Sequence, residues 1–233
     1  MRRIIVFSFM IAAFVAPAEA QRSTVRRSSE PTWFISGSIG AFTGQGVNDG
    51  ASSSSWDFGQ RTSWQYRVSL EKAIQNQSSI GFVATHVHVP FTYWSSLPEP
   101  NAFADGGVVC SGCSAHLDLE SVAAMFHAGG GIGFHQVIEA SLGASVYRNL
   151  TRDSDGKKLT PTKAKWDGTF AFGYGFGFGL SQETEVIFVQ EYGWALHEST
   201  NLPNNASNTN RLSTLRLGIR YGFGSTQPGV RRR

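Results

Sequence analysis

The chain has 233 residues with 20 basic and 17 acidic side chains, a net charge of +3, too even a balance to suit a nucleic-acid surface. It is rich in aromatics and glycine, with 17 Phe, 6 Trp, 6 Tyr and 26 Gly. Beyond the first twenty residues no run of eighteen apolar residues occurs, which excludes a helical membrane span and leaves β-structure with alternating faces.

Met1-Arg2-Arg3 is a basic start, Ile4 to Val15 is apolar, and Ala18-Glu19-Ala20 is an A-x-A cleavage pattern before Gln21. Residues 1–20 therefore read as a secretory signal peptide. Residues 21–31 read as a periplasmic lead-in, 32–224 as the folded domain and 225–233 as a basic periplasmic tail. Removing Arg2, Arg3 and Glu19 leaves 18 basic and 16 acidic residues, with the basic excess at the two ends.

Eight strand-like segments follow. The first spans Trp33 to Thr43. The second, Thr62 to Ala73, sets Trp64, Tyr66, Val68 and Leu70 against Gln65, Arg67, Ser69 and Glu71. In the third, Ser79 to Tyr93, Ile80, Phe82 and Ala84 share one phase and Val87, Val89 and Phe91 the other, so a bulge is expected between them. The fourth, Ala115 to Ala128, carries Leu117, Leu119, Ala123 and Met125 in phase, and a short helix would also fit there. The fifth, Gln136 to Leu150, sets Ile138, Ala140, Leu142, Ala144 and Val146 against Glu139, Ser141, Gly143 and Ser145.

The sixth is the clearest. In Phe170 to Leu180 every second residue is large and apolar, and every residue between them is Ala or Gly. A period of two puts Phe170, Phe172, Tyr174, Phe176 and Phe178 on one face. The seventh, Thr184 to His197, sets Val186, Phe188, Tyr192, Trp194 and Leu196 against Glu185, Glu191 and Gly193. The eighth, Ser213 to Phe223, sets Leu215, Leu217, Ile219, Tyr221 and Phe223 against Arg216, Gly218, Arg220 and Gly222.

The connections alternate in length. Ile74 to Ser78, Gly129 to His135 and Ser181 to Glu183 are short; Gly44 to Arg61, Trp94 to Ser114, Thr151 to Lys165 and Glu198 to Leu212 are long and polar. Together these features predict an all-β, eight-stranded antiparallel up-and-down transmembrane β-barrel with both termini on the short-turn side. Trp64, Tyr66, Phe170, Phe172, Tyr174, Phe176, Phe178, Tyr192, Trp194, Tyr221 and Phe223 are expected to face lipid. Arg67, Glu71, Glu139, Glu185, Glu191, Arg216 and Arg220 are expected in the lumen as ion pairs that plug it, with Glu191 and Arg216 paired because their strands are hairpin neighbours. A soluble lipocalin-like barrel holding an apolar ligand is the alternative; it would turn these aromatics inward and overfill the interior.

The signal peptide, the eight strands, the alternating loops and the closing Arg220-Tyr221-Gly222-Phe223 resemble the small outer-membrane barrels of the OmpA-like and opacity-like superfamily. The resemblance implies a monomer in a bacterial outer membrane, in contact with lipid and lipopolysaccharide and delivered by the barrel-assembly machinery. It also implies a structural or surface-contact role and no cofactor. The chain departs from that family in running ten residues past Phe223.

Cys110 and Cys113, in the longest loop of an exported chain, are expected to form a local disulfide. His86 and His88 share one strand face, two imidazoles that by themselves make no expected metal site. His197-Glu198-Ser199 with Pro203-Asn204 resembles the His-x-Ser-Asn and Pro-Asn segments of the lipid A 3-O-deacylases, which implies His197 as base and Ser199 as nucleophile. Thr200 replaces the family's Asn, and no Asp or Glu follows Ser199. The residues therefore favour a loop histidine and a barrel that is not an enzyme.

Overall fold

The computed structural model describes residues 31–59, 61–75, 77–95, 97, 105–202 and 208–225. The signal peptide, the lead-in apart from Pro31, the tail beyond Ser225, and Pro203-Asn204 lie outside the described residues. Ten strands form: β1 (Pro31–Gly44), β2 (Gly46–Asp49), β3 (Ser54–Asp57), β4 (Ser63–Gln75), β5 (Ser78–Ser95), β6 (Ser111–Ala128), β7 (Gly133–Arg152), β8 (Lys165–Gly179), β9 (Thr184–Leu196) and β10 (Thr209–Ser225). Among the described residues there is no helix, and the fourth predicted segment is a strand.

Eight of the strands close a ring in the order β5-β4-β1-β10-β9-β8-β7-β6, with β6 pairing back onto β5 over seventeen residue pairs from Ser78↔Ala128 to Trp94↔Ser111. Every neighbour is antiparallel, and β1 meets β10 from Pro31↔Ser225 to Gly44↔Leu212. The described ends of the chain and the three short turns lie at one end of this barrel, and the described parts of the four long connections lie at the other. Gly129, Gly130 and Gly131 all have positive φ and make the β6–β7 turn, a conformation costly for any residue with a Cβ.

The outward faces form an apolar belt. Trp64, Tyr66, Phe170, Phe172, Tyr174, Phe178, Tyr192, Tyr221 and Phe223 are all exposed, at 42–63 %. Phe176 and Trp194 are outward and half-buried because they stack on neighbours, Phe176 on Phe134 and Trp194 on Phe170, with ring centres 5.2 and 4.9 Å apart. A continuous exposed belt of this kind suits lipid rather than water, and it rules out the inward aromatics of a lipocalin-like barrel.

No bulge interrupts β5 where the sequence pattern changes phase. Its pairing with β4 runs unbroken from Ile80 to Val87, and the residues from Ser79 to Tyr93 keep one alternation of inward and outward. What changes is the surroundings. In the lower half Ile80 and Phe82 point out to the belt while Ser79 points into the lumen. In the upper half His86 and His88 point out, and Val87, Val89, Phe91 and Tyr93 are buried inside. Leu117, Leu119, Ala123 and Met125 of β6 also face inward. The strand crosses from an apolar solvent into water, so the preferred side for apolar side chains inverts while the backbone runs straight on.

Above the belt the barrel is therefore built like a soluble protein. The predicted loop Gly44 to Arg61 is a hairpin in which β2 and β3 extend the wall begun by β1 and β4: β3 pairs with β5 from Ser54↔Ser95 to Asp57↔Thr92, and the Gly46 amide donates to Asn210 Oδ1 at 3.1 Å. Its Val47, Trp56 and Phe58 point inward and join Phe42, Phe91, Leu117, Leu119, Tyr147 and Leu159 in one buried cluster. Cys110 and Cys113 form a disulfide at its rim.

The glycines of β8 are spacers for the inner face. A Cβ on Gly175 would collide with the Phe188 carbonyl oxygen and lie 2.7 Å from Val189 Cα, whereas a Cβ on Gly168 would meet nothing within 4 Å. Gly175→Ala is expected to destabilise the barrel by about 1–3 kcal/mol and Gly168→Ala to leave it within about 0.5 kcal/mol, read as urea midpoints of the detergent-folded protein.

Candidate functional site

Two groups of polar side chains occupy the interior, one at the level of the belt and one beneath the outer loops. The lower group is the lumen. An eight-stranded barrel is just wide enough for side chains to fill, so charges carried on opposite walls meet across it. Arg67 of β4 donates to Glu191 of β9 at 2.7 Å and to Glu139 of β7 at 3.0 Å. Glu139 also accepts from Arg216 of β10 and bonds His127 of β6 at 3.2 Å. A second tier lies towards the short turns. Arg220 bonds Glu71 at 3.1 Å and Glu185 at 3.4 Å, and stacks over the Phe34 ring at 3.6 Å. Ser69 and Ser79 donate to Glu71 at 2.7 and 2.6 Å, and His135 bonds Glu185 at 2.7 Å.

The predicted lumen set is thus brought together, with one partner exchanged. Glu191 is held by Arg67, and the ion-pair partner of Arg216 is Glu139. Arg216 lies opposite Val189, two residues along from Glu191, but the lumen is so narrow that reaching across it is shorter than reaching along the hairpin. His127, His135, Ser69 and Ser79 belong to the same network and carried no sequence signal beyond their inward phase. Above the tiers is a cavity of about 60 Å³, bordered by Gln65, Thr85, Ser121, Ser145 and Thr214. It has room for a few waters and no more.

The upper group surrounds His197, which is buried rather than looped out. Its Nδ1 donates to Asp167 Oδ1 at 2.7 Å, and its Nε2 faces Asp49 Oδ1 at 3.8 Å. Trp56 and Tyr147 pack edge-on against the ring, with centres 5.6 and 5.8 Å away. Ser52 donates to Asp49 Oδ2 at 2.5 Å, and Lys165 lies 3.5 Å from Asp49 and 2.6 Å from Glu198. Burial alone would lower the imidazole pKa, but the carboxylates of Asp167 and Asp49 outweigh it and push it up to about 9. Asp49 shows the complementary effect. Burial pulls its carboxyl upward, and His197, Ser52 and Lys165 bring it below its ordinary value.

This geometry does not make the hydrolase dyad that the resemblance to the deacylases implies. His197 spends Nδ1 on Asp167, its Nε2 has no hydrogen-bond partner, and Ser199 is exposed on the loop surface. The acid that the sequence lacks after Ser199 comes from β8 and β2. With an acid on either side and no free nucleophile at Nε2, the imidazole serves as a buried cation that ties β2, β8 and β9 together.

No family model matches the chain, and no curated protein matches it. Among solved structures, the chain is similar to small outer-membrane barrels. Neisserial surface protein A shares 10 % identity over 82 % of this chain and 97 % of its own, with a TM-score of 0.48. OprG from Pseudomonas aeruginosa shares 11 % over 85 % and 99 %, at 0.44. Ail, the attachment invasion locus protein of Yersinia pestis, shares 13 % over 83 % and 99 %, at 0.41. The assignment of an eight-stranded barrel rests on the closed strand order and the two faces described above.

Glu139 holds three partners inside the barrel, and removing its charge leaves two guanidiniums undercompensated. Glu139→Gln is expected to cost about 3–5 kcal/mol and Glu191→Gln, with one partner, about 1.5–3 kcal/mol, both measured by urea unfolding in detergent.

The outer cluster titrates separately. The folded His197 value lies above the unfolded value of about 6.5. Its contribution, roughly 3 kcal/mol, is complete below about pH 6.5 and lost as pH rises through about 9. Asp49 works in the opposite sense: its contribution is present above its unfolded value and lost in acid. Amide hydrogen exchange in β2 and β9 is expected to quicken between pH 7 and 9, after correction for the intrinsic pH dependence, and His197→Ala should abolish that step.

Proposed function

We propose that the protein is a monomeric bacterial outer-membrane barrel that does not conduct, with its termini in the periplasm. Its role is to present a stiff extracellular platform for structural or surface contact. The observation that carries this reading is the inversion of polarity along one set of strands. A belt of exposed aromatics surrounds a charged, ion-paired lumen below, and a dry apolar core fills the same barrel above. A pore would need a continuous wet path. Here the path meets two tiers of paired charges and then a cluster that includes Trp56, Tyr93, Tyr147 and Phe91, each less than 1 % exposed. Lipopolysaccharide and phospholipid are the belt's natural surroundings, and the barrel-assembly machinery its route to them.

A catalytic role for His197 and Ser199 is not favoured, because the imidazole is buried between Asp167 and Asp49 while Ser199 is exposed. The described parts of the long connections are instead packed against the barrel and one another. Asp105 accepts from the amides of Gly107 and Thr162 at 3.0 and 2.9 Å, and the Tyr93 hydroxyl donates to the Thr160 carbonyl at 2.8 Å. Such loops hold a fixed surface, which is what recognition by shape needs.

Fractionated cells should yield the protein in the outer membrane, and the folded protein should migrate differently on a gel before and after boiling. In planar bilayers the purified barrel is expected to give no stable conductance. A large, steady pore would overturn the plugged-lumen reading, and recovery in the soluble periplasmic fraction would overturn the membrane assignment.

A further inference from the structure

We propose that His88 and His116 form a binding site for one divalent transition-metal ion, Cu²⁺ or Zn²⁺ in class, on the outer wall just above the apolar belt. The two histidines lie on different strands, β5 and β6, and 28 positions apart in sequence. The register sets His88 opposite Asp118 and His116 opposite Pro90, so the two imidazoles are diagonal neighbours on the outward face. Their ring centres are 4.8 Å apart with planes tilted by 39°.

The second observation concerns the other nitrogens. His88 Nδ1 bonds Asp118 Oδ1 at 2.9 Å, and His116 Nδ1 bonds Asp153 Oδ1 at 2.7 Å. Asp118 is itself fixed by Asn149, whose amide donates to Oδ2 at 2.8 Å. A carboxylate on Nδ1 selects the tautomer in which Nε2 is the bare donor. This arrangement supports histidine ligands at metal centres. Here it occurs twice, on two imidazoles within van der Waals reach. Neither ring is buried, at 59 % and 34 % side-chain exposure, so both are open to an ion from solvent, and zinc takes imidazole nitrogen at about 2.0–2.1 Å. Imidazole donors suit zinc, copper and nickel rather than calcium or magnesium. With two protein donors and water completing the shell, the site is open and exchangeable.

His86, the sequence neighbour of His88 on the same face, is a different case. Its Nδ1 stands 3.7 Å from Glu120, which also binds Arg148, so a fixed cation already occupies its surroundings. The remaining histidines face inward, His127 and His135 in the lumen and His197 under the loops. All six histidines of the chain are thereby accounted for.

The test is a Cu²⁺ titration of the untagged barrel in detergent, followed by electron paramagnetic resonance, with Zn²⁺ as competitor and gel mobility as the check on folding. One ion per barrel is expected, with the spectral signature of two imidazole nitrogens. His88→Ala and His116→Ala should each weaken binding at least about tenfold and erase that signature, while His86→Ala leaves both unchanged. Asp153→Asn, which keeps the size and removes the charge, should weaken binding by about 10–100-fold. Absence of stoichiometric binding would overturn the proposal. So would a site lost in His86→Ala and kept in His116→Ala, which would place the ion on β5 alone.

Discussion

The rest of this structure depends on backbone hydrogen bonding in a solvent that offers none. An unpaired peptide group in hydrocarbon costs several kcal/mol, so a sheet in lipid must have no edge. Here β6 returns to β5 and closes the ring. Closure fixes the alternation of side chains, because each strand then has one face to lipid and one to a lumen too narrow for more than side chains. The glycines of β8 follow from the same constraint: where the neighbouring strands β7 and β9 crowd the inner face, a Cβ on Gly173, Gly175 or Gly177 does not fit.

Lumen charges are tolerable only because the ring is small. Three guanidiniums and four carboxylates are taken from water, and each finds partners on other walls, with Ser69, Ser79, His127 and His135 completing their coordination. In a wider barrel the same residues would be solvated and the lumen open. Their pairing holds the walls in register from inside, much as the ladder does along the strands. It also explains why single removals are costly where Glu139 stands and cheaper at the partly exposed Glu191.

Much of this was legible in sequence, and the exceptions have two physical causes. Alternation in the second, fifth, sixth, seventh and eighth segments located the strands and the lipid face, since period two is a local property of the chain. The phase change in the third segment misled, because alternation alone cannot say which solvent surrounds a face; the apparent bulge at Ala84 to Val87 is the level at which water replaces lipid outside. Partner choice was the other failure. Glu191 with Arg67 and His197 with Asp49 join segments far apart in the chain, and His197 with Asp167 and His88 with His116 join neighbouring strands whose register decides the contact. Which residues face each other across a lumen or along a diagonal depends on strand tilt and stagger, which no local pattern encodes.

The two storeys differ in what their stability rests on. The lower barrel is held by its ladder and by the energetic impossibility of opening an edge in lipid. The upper barrel stands in water, where edges are affordable, and must be stable as a soluble domain is, by burying apolar surface and satisfying polar groups. That is the reason for Trp56 and Phe58 in a stretch that otherwise reads as a Ser-rich loop, and for the buried His197 that joins β2, β8 and β9. A flexible loop could have covered the barrel mouth at lower cost in sequence. Extending the wall by the β2–β3 hairpin, packing it on Phe91 and Tyr147, and linking Cys110 to Cys113 gives the described part of the outer end a packed core of its own. A partner binding such a surface would have less ordering entropy to overcome, and this is the physical ground on which the proposed contact role rests.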